Sequence, residues 1–335
     1  KILQKISTRI TNTVKGAVAT LVELLSLVRP EVLGQTMRLR EQLRHLDVAS
    51  LAGVEPWTLA FLRWVLAFAI LLPFAHRGLV QHRDTLLRQW SLIGMMGLLG
   101  MWFCGAGVYF ALKYTTASNG TLIYTSSPVL ILLLEWIFRG RRVGGREALG
   151  IVLAVVGVVT IVVKGSLGTL LGLRLNAGDV LIALAALAWA GYSVLLKRKA
   201  LADIPTLSLF ATLALAGAIT LLPFTIVEIA ETGRFPASGA AWMSIFGLAV
   251  SASVLAFSTF QYGIKIVGPA TTGLFMYLLP PYGVLMAVIF LGEDLKLYHV
   301  AGFVLIMAGV ILATVPRALF ERARAKVAGL RRARV

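Results

Sequence analysis

From Trp57 onward the chain is a succession of apolar runs, at about 57–75, 90–112, 116–138, 148–165, 179–196, 205–229, 240–264, 269–291 and 297–315, separated by short polar joints. A helix needs roughly 20 residues, within a range of about 17 to 25, to cross a ~30 Å hydrocarbon layer, and every run falls in or close to that range. Lipid offers no hydrogen bonds, so only helices and closed barrels satisfy their backbones there. Barrel strands would alternate in polarity over about ten residues, whereas these runs are continuous and rich in Leu, Ala, Val and Gly. The sequence therefore predicts an all-α polytopic membrane protein. Composition agrees: 58% of the 335 residues are hydrophobic, 14% are charged, and mean hydropathy is +0.85. Soluble domains carry about 25% charge.

The net charge of +17 raises nucleic acid as a partner, but its distribution decides against it. With Trp57 placed at the outer surface, the inner joints and the basic tail hold eighteen Lys and Arg residues, and the outer joints hold five: Lys113, Lys164, Arg174, Arg234 and Lys296. That asymmetry is the cytoplasmic excess of membrane proteins. It predicts a cytoplasmic C-terminus, the lipid bilayer as the surrounding partner, and no nucleic acid.

Sliding the chain on itself by 152 positions aligns Lys113 with Lys265, Pro128 with Pro280, Ile137 and Phe138 with Ile289 and Phe290, Gly150 with Gly302, and Gly157 with Gly309. The decamer GIVLAVVGVV at 150–159 returns as GFVLIMAGVI at 302–311, and LLPF at 71–74 returns at 221–224. Chance matches leucines in an apolar chain, so the prolines and glycines carry the weight. The joint after Lys113 lies outside and its counterpart after Lys265 lies inside, so the two units are inverted. Inverted repeats are the architecture of many secondary transporters, whose halves rock about a site near the bilayer midplane.

The stretches ALKYTTASNGTLIYTSSPVLILLLEWIF, PATTGLFMYLLPPYGVLMAVIFLGEDL and ALAWAGYSVLLKR, with the glycine-spaced decamers, resemble the EamA branch of the drug/metabolite transporter superfamily. The resemblance covers roughly 56–316. It implies a bacterial inner-membrane exporter of about ten transmembrane helices in two inverted five-helix repeats, at 56–166 and 167–316, followed by a basic cytoplasmic tail at 317–335. It also implies a small-molecule substrate, amino acids or related amphipathic compounds. The N-terminal segment 1–55 departs from that pattern. The counterpart of the run at 179–196 falls near 29–46, where Arg29, Glu31, Arg38, Arg40, Glu41, Arg44 and His45 stand, and each central charge costs about 2.5 to 3.5 kcal/mol on insertion. Residues 17–28 are apolar but too short to span unaided, and three readings stay open for them: a signal-like segment, an interfacial helix, or a displaced first span. Glu23, within it, lacks the surrounding motif of the small multidrug exporters.

The polar and aromatic residues inside the runs are the candidate substrate contacts. Tyr124, Ser127 and Glu135 share a helical face beside Pro128, and Pro280 and Pro281 stand at the matching place in the second unit. A proline removes an amide donor and breaks the ladder, and irregular backbone at membrane depth faces protein or a watery cavity. Trp102 and Tyr109, seven apart, Trp189 and Tyr192, Asn119, Gln261 and Tyr277 complete a cavity lining suited to amphipathic solutes, because apolar walls with sparse polar groups are how small molecules are held. Each of these residues has a plainer structural reading as packing, capping or lipid-facing. Glu135 precedes Arg139 by four residues, the spacing of a local ion pair. Arg63, about two turns into its run, is expected to snorkel outward or to hold an anion. The glycine pairs Gly150 and Gly157, and Gly302 and Gly309, mark close helix packing.

The lone Cys104 excludes an intrachain disulfide, and His45, His76, His82 and His299 all stand in joints or near helix ends. No metal motif, nucleotide loop or cluster of acids appears, so no cofactor and no metal are expected. A membrane-embedded lipid-modifying enzyme, the remote alternative, would need convergent acids, histidines or a metal site, and the sequence offers no such cluster. A nucleotide-sugar or phosphate-ester carrier, the other transport reading, would need more in-membrane cations than Arg63. A monomer and a homodimer are equally compatible with the sequence.

Overall fold

The computed structural model describes residues 54–115, 117–166, 168, 176–286 and 296–314. The segment 1–53 and the basic tail lie outside the described residues. Among the described residues eight helices are long and apolar enough to cross a membrane: α1 (Pro56–Gln81), α2 (Trp90–Ala111), α3 (Asn119–Arg139), α4 (Gly145–Val162), α5 (Ala177–Leu195), α6 (Thr206–Thr232) and α7 (Gly239–Val267), with the eighth of them at Leu297–Thr314. Between α7 and that last helix runs α8, described over 269–286, and the last is therefore α9. Among the described residues there is no strand.

Local chemistry sets the ends. Pro56 opens α1, where a missing amide does no harm. Asn176 and Asp179 form a reciprocal capping box at α5, and the Ser238 hydroxyl accepts from the Ala241 amide at α7. Gly140 (φ 64°) and Gly233 (φ 63°) end α3 and α6 in the left-handed conformation. Two stretches widen into π-helix, Leu98–Gly107 in α2 and Ala249–Leu255 in α7. Shifted by 152 positions they overlap, so the irregularity is written twice.

The inversion is visible in one contact. A Cβ on Gly150 would stand 2.6 Å from the Gly309 carbonyl, and one on Gly157 would stand 2.6 Å from the Gly302 carbonyl. Early meets late in both cases, so α4 and α9 run antiparallel. Because Gly150 corresponds to Gly302 and Gly157 to Gly309, exchanging the two copies reproduces the contact, which is the property of a two-fold axis. An axis relating antiparallel membrane helices in this way lies across them, in the membrane plane. Without a hydrophobic incentive in lipid, such close backbone approach is what holds helices together.

The remaining core gathers where α1 and α6 cross α2 and α7. Trp64, fully buried, meets Phe257 edge-on at 5.0 Å, and Phe257 stacks on Phe210 at 5.8 Å. Ser208 donates to the Ala75 carbonyl at 3.0 Å, tying α6 to α1. Large side chains such as Phe74, Trp136, Phe138 and Leu297 stand exposed, as the outer surface of a bundle solvated by lipid requires.

Candidate substrate cavity

The two helices that carry the matched prolines are both broken. In α3, helical geometry lapses into a turn at Thr125 and Ser126 before resuming at Ser127. Pro128 cannot donate to the Tyr124 carbonyl, and Ser127 does so instead at 2.7 Å. Thr125 donates to Leu122 O at 2.5 Å and Ser126 to Ile123 O at 2.7 Å. Three consecutive hydroxyls thus occupy the carbonyls of the break, which is how a membrane helix tolerates proline. In α8, helix at Pro269–Leu274 tightens to a 3₁₀ turn at Phe275–Leu278 and resumes at Leu279–Met286, immediately before Pro280 and Pro281.

A cavity of about 500 Å³ lies between these breaks. Tyr124, Thr125 and Pro128 line it from α3; Met276, Tyr277 and Pro280 from α8; Cys104 and Val108 from α2; and Ile182 from α5. The Tyr277 hydroxyl has no hydrogen-bond partner. Among the described residues no charged side chain contributes to the wall. Apolar walls with a few hydroxyls at this size suit a small amphipathic molecule.

The cavity occupies the half of the bundle nearer Lys113. Toward the Lys197 end it is shut by aromatic packing. Trp189 Nε1 donates to Met276 Sδ at 3.1 Å, and the Trp189 ring stacks on Tyr192 at 5.5 Å and meets Phe260 at 4.8 Å and Phe257 at 5.2 Å. Gln261 Nε2 then donates to the Tyr192 hydroxyl at 2.9 Å. Charged side chains close the bundle at that end. Arg139 reaches the Val194 carbonyl at 3.1 Å, Lys197 the carbonyls of Ile264 and Lys265 at 3.3 and 3.2 Å, and Lys265 the Ile204 carbonyl at 3.1 Å.

Tyr124, Pro128, Tyr277 and Pro280 thus stand in the cavity wall, while Trp189, Tyr192 and Gln261 form the partition behind it. Ser127 is fully buried, bonded to its own helix, and Pro281 is buried just beyond the lining. Asn119 begins α3, next to the lining residues Gly120 and Thr121. Trp102 stands elsewhere, among Trp57 (5.1 Å), Phe103 (4.7 Å) and Phe224 (5.3 Å).

Tyr109 is also turned away from the cavity, toward Arg63. Arg63 does not snorkel: it is only 6% exposed, donates from Nη1 to the Tyr109 hydroxyl at 2.5 Å, and lies 4.5 Å above the Trp64 ring. An acceptor from α2 and an aromatic face hold the guanidinium inside. Among the described residues it has no carboxylate partner. Glu135, by contrast, pairs with Arg139 at 3.4 Å and Arg141 at 3.8 Å.

Several cavity residues escaped the sequence reading, and one signal would have found two of them. Met276 and Thr125 are the 152-shifted counterparts of Tyr124 and Tyr277. Cys104 and Ile182 carry no such mark. A buried acid was missed as well: Glu228, one turn from the end of α6, accepts from the Thr58 amide (2.7 Å), the Trp57 amide (3.2 Å) and the Thr58 hydroxyl (2.9 Å). It caps the N-terminus of α1 from 170 residues away, where a negative charge meets the helix dipole. At the same end Glu55 bridges Lys113 (2.7 Å) and Arg234 (3.0 Å), and the hydrogen bond from Lys113, foremost, holds its carboxyl below the usual glutamate range. Among the described residues no group of three His, Cys, Asp or Glu side chains is placed to hold a metal.

The EamA-like transporter family matches residues 47–163 and 176–315, two segments that fall on the two halves of this bundle. The uncharacterized transporter YyaM of Bacillus subtilis (strain 168) is 30% identical over 220 residues, 66% of this chain and 72% of that one. An uncharacterized transporter of Archaeoglobus fulgidus is 30% identical over 79% of this chain and 89% of that one. A probable terminal-alkyne amino-acid exporter of Streptantibioticus cattleyicolor is 25% identical over 73% and 79%. A solved crystal structure superposes with a TM-score of 0.65 at 24% identity, covering 85% of this chain and 96% of that one, a likeness of fold. With broken helices around an apolar cavity and a family match over both halves, the chain is an integral membrane protein that belongs to the EamA-like transporter family.

Proposed function

We propose that the protein is a secondary transporter that exports small amphipathic metabolites, amino acids or related compounds, across a bacterial inner membrane by alternating access. The observation that carries this reading is the cavity of about 500 Å³ between two proline-broken helices of opposite orientation, closed at one end and walled by equivalent residues of both copies. Two inverted copies of one unit have two related arrangements, each opening the site to one side. The charge asymmetry of the joints favours a cytoplasmic Lys197 end and C-terminus, which makes the arrangement described here the outward-facing one. The relative described as a probable amino-acid exporter supports the substrate class. The uncharged wall speaks against polyanions such as nucleotide sugars.

Reconstitution tests the reading. Purified protein in liposomes, without ATP, is expected to carry radiolabelled metabolites from a broad panel of amino acids and related compounds. A transported compound should also slow alkylation of Cys104, the only cysteine and a wall residue. Absence of flux and of Cys104 protection for every compound would overturn the proposal.

A further inference from the structure

A second cavity, of about 450 Å³, lies at the Lys197 end, formed by the end of α5, the turn into α6, the start of α6 and one face of α7. Four cations line it: Lys197, Arg198, Lys199 and Lys265. Among the described residues no acid lines it; Asp203 belongs to the same turn but not to the wall. Two of the cations are committed to structure, since Lys197 bonds carbonyls at the end of α7 and Lys265 one in the turn before α6. Arg198 and Lys199 are exposed at the mouth and have no ion pair among the described residues.

A second observation points to a ligand independently. Gln261 lines this cavity at only 4% exposure. One end of its amide is bonded to Tyr192, and the other, Oε1, has no partner. A buried acceptor left without a donor is costly, so a ligand that supplies one is favoured. The cavity therefore presents cations at its mouth, and an idle acceptor lies buried behind its wall. Gln261 is also the first member of the partition: Tyr192, Trp189 and then Met276 lead from it to the wall of the apolar cavity.

We infer that this cavity is the loading site for the substrate on the Lys197 side and that it takes a zwitterionic amino acid. The carboxylate is held by Arg198 and Lys199, and the ammonium draws the buried Gln261 Oε1 into the cavity to accept from it. A ligand seated in this way engages the side chain whose other end secures Tyr192, and so bears on the partition that separates the two cavities. The inference rests on the transport reading and adds to it a recognition site distinct from the apolar cavity.

The test uses the full chain in nanodiscs of phosphatidylcholine, titrated with each proteinogenic L-amino acid and its methyl ester, with binding read by calorimetry. At least one amino acid should bind, and its ester, which lacks the carboxylate, should bind about tenfold or more weaker. Arg198→Gln with Lys199→Gln should weaken the acid by a similar factor while the melting temperature stays unchanged. Arg88→Gln with Arg142→Gln removes as much charge from the same end, away from the cavity, and should leave the affinity alone. Equal binding of acid and ester, or an unchanged affinity in the Arg198 and Lys199 variant, would overturn the inference. So would a heat signal that arises from added phosphatidylglycerol and not from amino acids, which would make the ligand a lipid headgroup. Flux of some other metabolite without amino-acid binding sinks this inference alone; absence of flux and of Cys104 protection for every compound sinks the transport reading with it.

Discussion

The glycine seam and the proline breaks are both written twice in the chain, yet the copies behave differently at the two places. In the seam, Gly150 and Gly157 of α4 and Gly302 and Gly309 of α9 are the same residue at matched positions, and their contacts exchange symmetrically. At the breaks only the prolines match. Tyr124 faces the cavity where its counterpart is Met276, and Thr125 where its counterpart is Tyr277. Close backbone approach admits one solution for both copies, because any side chain collides with a carbonyl. A cavity wall has no such constraint, so each copy supplies a different chemistry and the site as a whole is asymmetric. Symmetry is kept by packing and given up at the site.

Substitutions should separate the two regions. The largest effect belongs to the seam: Gly157→Leu or Gly309→Leu drives side-chain atoms into backbone, and overpacking costs typically about 1 to 3 kcal/mol and more where backbone cannot yield. Loss of folded protein by size exclusion and a sharp fall in thermal stability are expected for both; native-like melting would show that the seam tolerates bulk. Next comes a matched pair that has diverged, Tyr109 and Gln261. Tyr109→Phe removes the acceptor of buried Arg63, and a hydrogen bond to a charged group contributes about 1.5 to 3 kcal/mol. A lowered unfolding midpoint is expected, with Arg63→Met in the same background restoring part of it.

Ser127→Ala should cost less, about 1 to 2 kcal/mol, by leaving the Tyr124 carbonyl without a donor at the break. Its signature is a change in flux out of proportion to the change in melting, since it loosens the wall rather than the seam. The smallest effect is that of pH on Glu55. Its folded carboxyl titrates below the ordinary value, so its bridge to Lys113 and Arg234 contributes fully above the ordinary glutamate pKa of about 4.3. That contribution is lost as pH falls through the lower folded value. An acid-side loss of stability present in the native chain and reduced in Glu55→Gln is the expected outcome, screened by salt because the bridge is partly exposed.

Much of the cavity was legible in the chain. Pro128 and Pro280 announced the breaks because a missing amide acts on its own helix, and Tyr124 and Tyr277 lay near them. The 152-residue offset contained more than was taken from it, since it also pointed to Met276 and Thr125. Trp102 and Tyr109 mark the limit of the regular helical period. That period groups them on one face, but the π-helical stretch Leu98–Gly107 alters it between them and rotates the residues on its C-terminal side. Cys104 and Val108 consequently meet the cavity, while Tyr109 meets Arg63.

The sequence alone determined that this is a helical membrane protein, where nearly all of its spans run, that it repeats with an offset of 152, and which helices break. Each of these properties comes from hydropathy, backbone chemistry or self-similarity, which act along the chain. The tertiary structure alone decided that Arg63 is buried against Tyr109, that Glu228 caps α1, that an aromatic partition closes one end of the cavity, and that a cationic cavity lies beyond it. Those contacts join residues tens to more than a hundred positions apart. They depend on the rotation of each helix about its axis, which packing sets and the order of residues does not state.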